Sequence, residues 1–233
     1  MPFPRLLLAG ASFRDRSLAS LGAMLGIAIT GAVCFMIPLP VASLPLLVAP
    51  MGASAVLVFA VPASPLAQPW SVIGGNVISA FVGLLAGHLI PSLPLAAGVG
   101  VGGAIFIMSL TRCLHPPGGA AALTAVLGGP LVAATGYGFP IVPVAANSLV
   151  LVLAGLIFHR VSGHSYPHRS VPVAGHQPPP ATIIPHPEDI DRALEDLGET
   201  FDVSREDLDL IFRQVEVHAE RRRRAETVGR PAR

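Results

Sequence analysis

Between Ser17 and His159 the chain carries one formally charged residue, Arg112, and neither Asp nor Glu. A water-soluble fold needs charged side chains over its exposed faces, so this stretch is predicted to lie in a lipid bilayer. The overall balance, 52% hydrophobic against 12% charged, conceals how unevenly the charge is placed. All 15 basic residues are Arg, and 13 of the 14 acidic ones fall between Glu188 and Glu226. A globular enzyme with a water-exposed cleft is excluded. The apolar region also holds no carboxylate pair, nucleophile triad or metal constellation, so neither catalysis nor a cofactor is expected. Cys34 and Cys113 stand alone in apolar surroundings and point to neither a disulfide nor a metal site.

Residues 18–37 are long enough to cross a hydrocarbon core of roughly 30 Å at 1.5 Å per residue. Five more apolar segments follow at 44–61, 72–90, 95–110, 120–135 and 144–158, with proline clusters at each junction. Proline cannot continue the helical hydrogen-bond ladder and so punctuates the chain. Pro50 and Gly52 interrupt the second segment, and Gly128, Gly129 and Pro130 the fifth, which predicts two half-helices. The fold expected is an all-α polytopic membrane bundle of four to six apolar segments, two of them broken half-helices, with a short cytoplasmic helical tail. Its divisions are a transmembrane domain at 1–160, a Pro/His-rich linker at 161–187 and an amphipathic tail at 188–233.

The two interrupted segments align: Pro50-Met51-Gly52-Ala53-Ser54-Ala55 lies over Pro117-Gly118-Gly119-Ala120-Ala121-Ala122, with Pro, Gly, Ala and Ala in register. This spacing suggests two halves of three segments each, the arrangement that places transporter sites at a repeat interface. Chance matching among abundant small residues is the alternative. Gly22/Gly26, Gly83/Gly87 and Gly98/Gly102 supply small residues at four-residue spacing, which permits close helix approach within the chain or between copies.

Arg5, Arg14 and Arg16 precede the first segment, and Arg160 and Arg169 follow the last, so both termini are expected in the cytoplasm of a multi-pass inner (plasma) membrane protein. That requires an even number of crossings, either six or four with two re-entrant half-helices. In the tail, Ile190, Leu194 and Leu197 mark one helix stopped by Gly198. Ser204 with Asp207 announces a second, carrying Leu208, Ile211, Phe212 and Val215 on one face. Four linker histidines, His164, His168, His176 and His186, are too irregularly spaced for a metal site. Arg221 to Arg224 suit an anionic leaflet rather than nucleic acid.

The most distinctive string is Arg112-Cys113-Leu114-His115-Pro116-Pro117-Gly118-Gly119-Ala120-Ala121-Ala122-Leu123. It resembles the signature of the HPP family of integral membrane proteins, named for the His-Pro-Pro triplet. The run Pro50 to Phe59 with Pro62, Ser64, Pro65, Gln68 and Pro69 is similar to that family's other recurrent stretch. The resemblance spans roughly residues 15 to 160 and implies a four-span protein with a transport role, nitrite being the solute associated with plant and cyanobacterial relatives. Similar chains often continue into a pair of CBS domains, which the sequence here does not include.

Chemistry gives the same residues a role. A helix starting at Pro117 offers the positive end of its dipole and free backbone N–H groups, and Gly118 and Gly119 let a ligand approach. A second start near Gly52 would do the same, so opposed half-helix N-termini near the midplane are expected to hold a small anion. His115, Arg112, Ser54 and Asn76 are the donors expected around it. Without carboxylates a cation site is disfavoured. The expected function is a permease or channel for a small inorganic anion. The alternative is a non-transporting scaffold or sensor whose tail recruits a partner. The partners foreseen are the anion, the lipid bilayer and a second copy pairing through the tail or a glycine-rich face.

Overall fold

The computed structural model describes residues 13–37, 47–169, 186–197 and 203–228. Arg5, Pro38, Pro40, Leu44, His176, Gly198 and most of the Pro-rich linker lie outside them. The chain divides into two units, Met1–His168 and Arg169–Arg233.

Among the described residues of the first unit every regular element is helical. Its helices are α1 (Phe13–Phe35), α2 (Pro50–Ala60), α3 (Pro69–Leu89), α4 (Leu93–Leu110), α5 (Pro117–Leu127), α6 (Pro130–Thr135) and α7 (Ala146–Ser162). A π-turn at Pro140–Ala145 runs into α7. Pro143 sits inside it and has no N–H to give, and the Val144 N–H reaches back five residues to the Phe139 carbonyl, 3.3 Å away. A wider turn accommodates a ring that would clash in an α-helix.

Four stretches are long and apolar enough to cross a membrane alone: Phe13–Phe35, Pro69–Leu89, Leu93–Leu110 and Pro140–Ser162. The pair α5–α6 qualifies as a fifth only as a unit bent by 76°. Gly128 and Gly129 make that bend, at φ +74° and +115°, where a Cβ would be strained. Helix α2, with 11 residues, is about 16 Å long and cannot span by itself.

Side-chain contacts show which ends lie together. At one end, Asp15 is 4.0 Å from His164, and the Tyr166 hydroxyl donates to the Ala67 carbonyl at 2.9 Å. There too the Trp70 indole donates to the Thr111 carbonyl at 3.1 Å, and the His168 N–H to Gln68 at 2.9 Å. At the other end, Asn147 accepts from the Val48 N–H at 2.9 Å and donates to Cys34 Sγ at 3.2 Å, and the His88 and Tyr137 rings meet at 6.1 Å. Among the described residues α1, α3, α4 and the Pro140–Ser162 stretch each run the full distance between these ends, while α2 and α5 each cover part of it. Arg14, Arg16, Arg112 and Arg160 all belong to the first end.

The two halves pack as an inverted pair. Helix α2 lies parallel to α7, with Val48 at Asn147, Met51 at Ser148 and Val58 at His159. Helix α5 lies parallel to α3, with Gly118 against Ser79, Ala122 against Gly83 and Val126 against Gly87. Each short helix, together with the first helix of its half, packs on the third helix of the other half. Small residues make this possible, because apolar side chains gain nothing by leaving lipid for another helix. A Cβ on Gly83 would lie 2.3 Å from the Ala122 carbonyl oxygen. Gly22 and Gly26 similarly seat Phe59 and residues of α7, so both glycine pairs serve packing within the chain. Gly98 and Gly102 have no neighbour within 4 Å and lie on an exposed face of α4. Large apolar side chains such as Phe106 and Leu110 point outward, the distribution suited to lipid contact.

In the second unit, α8 (Pro187–Leu197) and α9 (Arg205–Val228) carry the tail. Ser204 caps α9, accepting from the Asp207 N–H at 3.0 Å while its hydroxyl donates to the Asp207 carboxylate at 2.5 Å. At 24 residues α9 is longer than the short helix expected from sequence, and Arg213 with Asp209, and Arg223 with Glu216 and Glu220, brace its exposed side. Arg205 pairs with Asp191 across the two helices.

Candidate functional site

Each short helix begins at proline, which needs no hydrogen-bond acceptor at a helix start. Before α5 the chain must leave α4 and turn back into the protein. It does so through a left-handed residue, Arg112, at φ +55°. The Cys113 N–H reaches the Met108 carbonyl at 2.9 Å and the Arg112 N–H reaches Ser109 at 3.4 Å, the bond pattern of a Schellman helix end. Arg112 occupies the position where glycine is usual, and it is exposed.

That turn drives residues 113–116 inward against α3. A Cβ on Gly75 would lie 2.5 Å from His115 Cβ and 2.7 Å from the Cys113 carbonyl oxygen, so only glycine lets the connector lie this close. His115 is fully buried as a result. Its Nδ1 is 2.8 Å from the Leu66 carbonyl, which can only accept, so Nδ1 carries the hydrogen. Its Nε2 then accepts from the Ser54 hydroxyl at 2.8 Å. Asn76 completes the cluster, its amide nitrogen donating to Ser54 Oγ at 3.2 Å and to the Val72 carbonyl at 2.9 Å. Ser54 and Asn76 are also fully buried. Asn76 Oδ1 is buried with no hydrogen-bond partner. Asn76 lies seven residues into α3, about 10 Å from the start of that helix.

Three of the residues singled out from sequence, Ser54 on α2, Asn76 on α3 and His115 before α5, thus form one hydrogen-bonded cluster from three elements. Arg112 does not join it. Gly118 is buried, and a Cβ there would lie 2.6 Å from Ser79 Oγ and 2.9 Å from Met108 Sδ, which gives it a packing role. Gly119 has only Val101 within 4 Å and Gly52 has nothing, and Gly52 is exposed.

The expectation of free amides at the helix starts is not met. The Gly118 N–H donates to the His115 carbonyl at 2.8 Å and the Gly119 N–H to Pro116 at 3.0 Å. Likewise the Met51 N–H donates to Val48 at 3.0 Å and the Gly52 N–H to Ala49 at 3.1 Å. Both helices open with tight three-residue turns that use up the amides which would otherwise face a ligand. The two starts belong to helices that run in opposite directions, and both lie near the middle of α3, where Ser54 meets Asn76 and Gly118 meets Ser79. Met51 lies beside Ser148, near the middle of the Pro140–Ser162 stretch, and the contact between the half-helices runs from Ser54, one turn into α2, to His115, just before α5.

Other polar residues of the bundle, absent from the sequence-based candidates, also make contacts inside it. Asn147 holds Cys34 and the Val48 N–H together, and the Ser148 hydroxyl lies against Met51 Sδ at 3.9 Å. His159 Nε2 is 2.8 Å from the Val58 carbonyl. Tyr166 and His168, assigned to the linker, belong to the first unit and hold the 61–68 connector. An isolated amide or imidazole in an apolar run is the signal that marked Asn76 and His115, and Asn147 and His159 carry it equally. Burial raises the Tyr166 hydroxyl pKa, so it stays a hydrogen-bond donor. Among the linker histidines, His164 contacts the His159 ring and Asp15, while His176 lies outside the described residues.

Four helical stretches long and apolar enough to cross a membrane, two shorter apolar helices between them and a polar cluster buried among apolar faces define an α-helical multi-pass membrane protein. The chain belongs to the HPP family: the model for the HPP transmembrane region matches residues 9–167. Two transmembrane proteins of Dictyostelium discoideum are similar to it. One is 36% identical over 131 residues, 54% of this chain and 46% of the relative. The other is 39% identical over 110 residues, 46% of this chain and 35% of the relative. The chain spans less than half the length of these relatives. No solved structure matches.

Proposed function

We propose that the protein is a non-enzymatic permease or channel for a small inorganic anion, with Ser54, His115 and Asn76 as its recognition cluster. The observation that carries this reading is the placement of three fully buried, mutually bonded polar side chains where two half-helices of inverted halves meet. Polar residues are costly at membrane depth, and a bundle that needed only to pack would use apolar ones. The lack of any carboxylate between Ser17 and His159 disfavours a cation as cargo. Nitrite is the candidate that the family resemblance implies.

Gly118 and Gly119 contribute by letting the connector pack inward. Arg112 and Gly52 stand outside the cluster, Arg112 as a positive charge at the entrance end. The clustering of Arg14, Arg16, Arg112 and Arg160 at one end supports a plasma-membrane orientation with both termini in the cytoplasm, to be checked with reporter fusions. The scaffold reading draws support from α9, whose Ile211, Phe212 and Val215 are exposed, and a second copy would pair there or on the Gly98/Gly102 face of α4. Uptake into proteoliposomes across a panel of small anions separates the two. A protein-dependent flux supports the permease. Correctly inserted protein that passes no anion leaves the scaffold.

A further inference from the structure

We propose that the Ser54–His115–Asn76 cluster takes its anion only together with one proton, so that the cargo crosses without net charge. The inference rests on the permease reading and specifies what that same site must bind.

Hydrogen-bond accounting carries it. Both amide hydrogens of Asn76 are committed, one to Val72 and one to Ser54. The Ser54 hydroxyl hydrogen is committed to His115 Nε2, and the Nδ1 hydrogen of His115 to Leu66. What remains is Asn76 Oδ1, an acceptor, fully buried and without a partner. A bare anion can only accept and would meet that lone pair with no donor to offset it. The amides of Gly52, Gly118 and Gly119 are already bonded and supply none.

One added proton removes the conflict, and it has two places to sit. On the solute, it donates to Asn76 Oδ1. On Nε2, it makes His115 the donor to Ser54 Oγ, and the Ser54 hydroxyl hydrogen then turns to the anion. Both arrangements hold one proton per anion.

The charges around the cluster favour the pair over either ion alone. No element packed against His115 contains Asp or Glu, so an imidazolium there has no fixed counter-charge. Arg112 on the same connector is of like sign. Cys113 is the neighbouring buried thiol, and Tyr166 binds the Ala67 carbonyl next to that of Leu66. An anion supplies the missing charge and the proton neutralises the anion, so each raises the affinity for the other.

The test uses the full chain in proteoliposomes carrying a luminal pH dye, with the membrane potential clamped by equal potassium and valinomycin. Nitrate and nitrite serve as probes, and protein-free vesicles give the background leak. An inward gradient of one pH unit should drive about tenfold accumulation of anion, with one proton entering for each. An imposed potential without a pH gradient should drive none. Anion uptake that follows the potential and leaves luminal pH unchanged would overturn the proton requirement and keep the permease. No uptake above the protein-free rate would overturn both.

Discussion

Helices α2 and α5 have the same length, begin at proline, share an aligned Pro-x-Gly-Ala pattern and lie parallel to the third helix of the opposite half, yet their surroundings differ. The first turn of α5 is wedged against α3 and α4, where Gly118 has no room for a Cβ. The first turn of α2 leaves Gly52 open, and Asn147 on α7 holds the chain just before it. Symmetry of the chain path therefore does not make the two glycines equivalent. One motif packs a helix against a glycine-rich neighbour, and the other turns its glycine to an exposed face.

The sharpest way to break this comparison is a matched pair of substitutions. Gly118→Val should cost on the order of 1–3 kcal/mol through overpacking against Ser79 and Met108, seen as lost abundance or a lower midpoint in a detergent melt. Gly52→Val should leave both near the parent value. Equal losses would mean that the two starts share one environment after all.

His115→Ala comes next in size. It strips partners from the Leu66 carbonyl and the Ser54 hydroxyl inside a buried cluster, at about 1–3 kcal/mol, and should lower anion uptake beyond the loss of folded protein. Uptake per folded molecule equal to the parent would take His115 out of the site.

Tyr166→Phe removes one bond, to Ala67, and should cost about 1 kcal/mol. Because burial raises the Tyr166 pKa, its contribution is complete below the ordinary tyrosine value of about 10 and is lost only as pH rises through the higher folded value. The difference in melting temperature between Tyr166→Phe and the parent should therefore be flat from pH 6 to 9. A difference that shrinks within that range would contradict the assignment.

The smallest effect is expected for Arg112→Gly. Glycine suits φ +55° better than arginine, so stability should hold or rise by up to about 1 kcal/mol. Loss of fold would show that the guanidinium holds something the helix-end geometry does not require.

Much of the architecture could be read before the coordinates. Unbroken apolar runs and proline junctions located α1, α3, α4 and α7, and Gly128-Gly129-Pro130 gave the bend after α5 because glycine and proline write backbone geometry directly into sequence. The cluster was only half legible. Ser54, His115 and Asn76 stood out as polar residues in apolar runs, but their meeting depends on Gly75 admitting the 113–116 connector, a three-dimensional fact without a local signature. The committed amides of Gly52, Gly118 and Gly119 were also hidden, since pattern alone does not tell an α-helical start from a tighter one. Asn147 carries the same signal as Asn76, an amide in an apolar run, yet its partners Cys34 and the Val48 N–H are set by the fold.

The central claim is that the solute meets the side of the half-helices where Ser54 touches His115, and not the side where Asn147 holds the chain before α2. The most direct measurement is the apparent KM for nitrite uptake by Ser54→Ala and Asn147→Ala proteins, each normalised to inserted protein. The account predicts a KM raised several-fold in Ser54→Ala, and in Asn147→Ala a fall in abundance with KM unchanged. An unchanged KM in Ser54→Ala, with Asn147→Ala shifted instead, would contradict it.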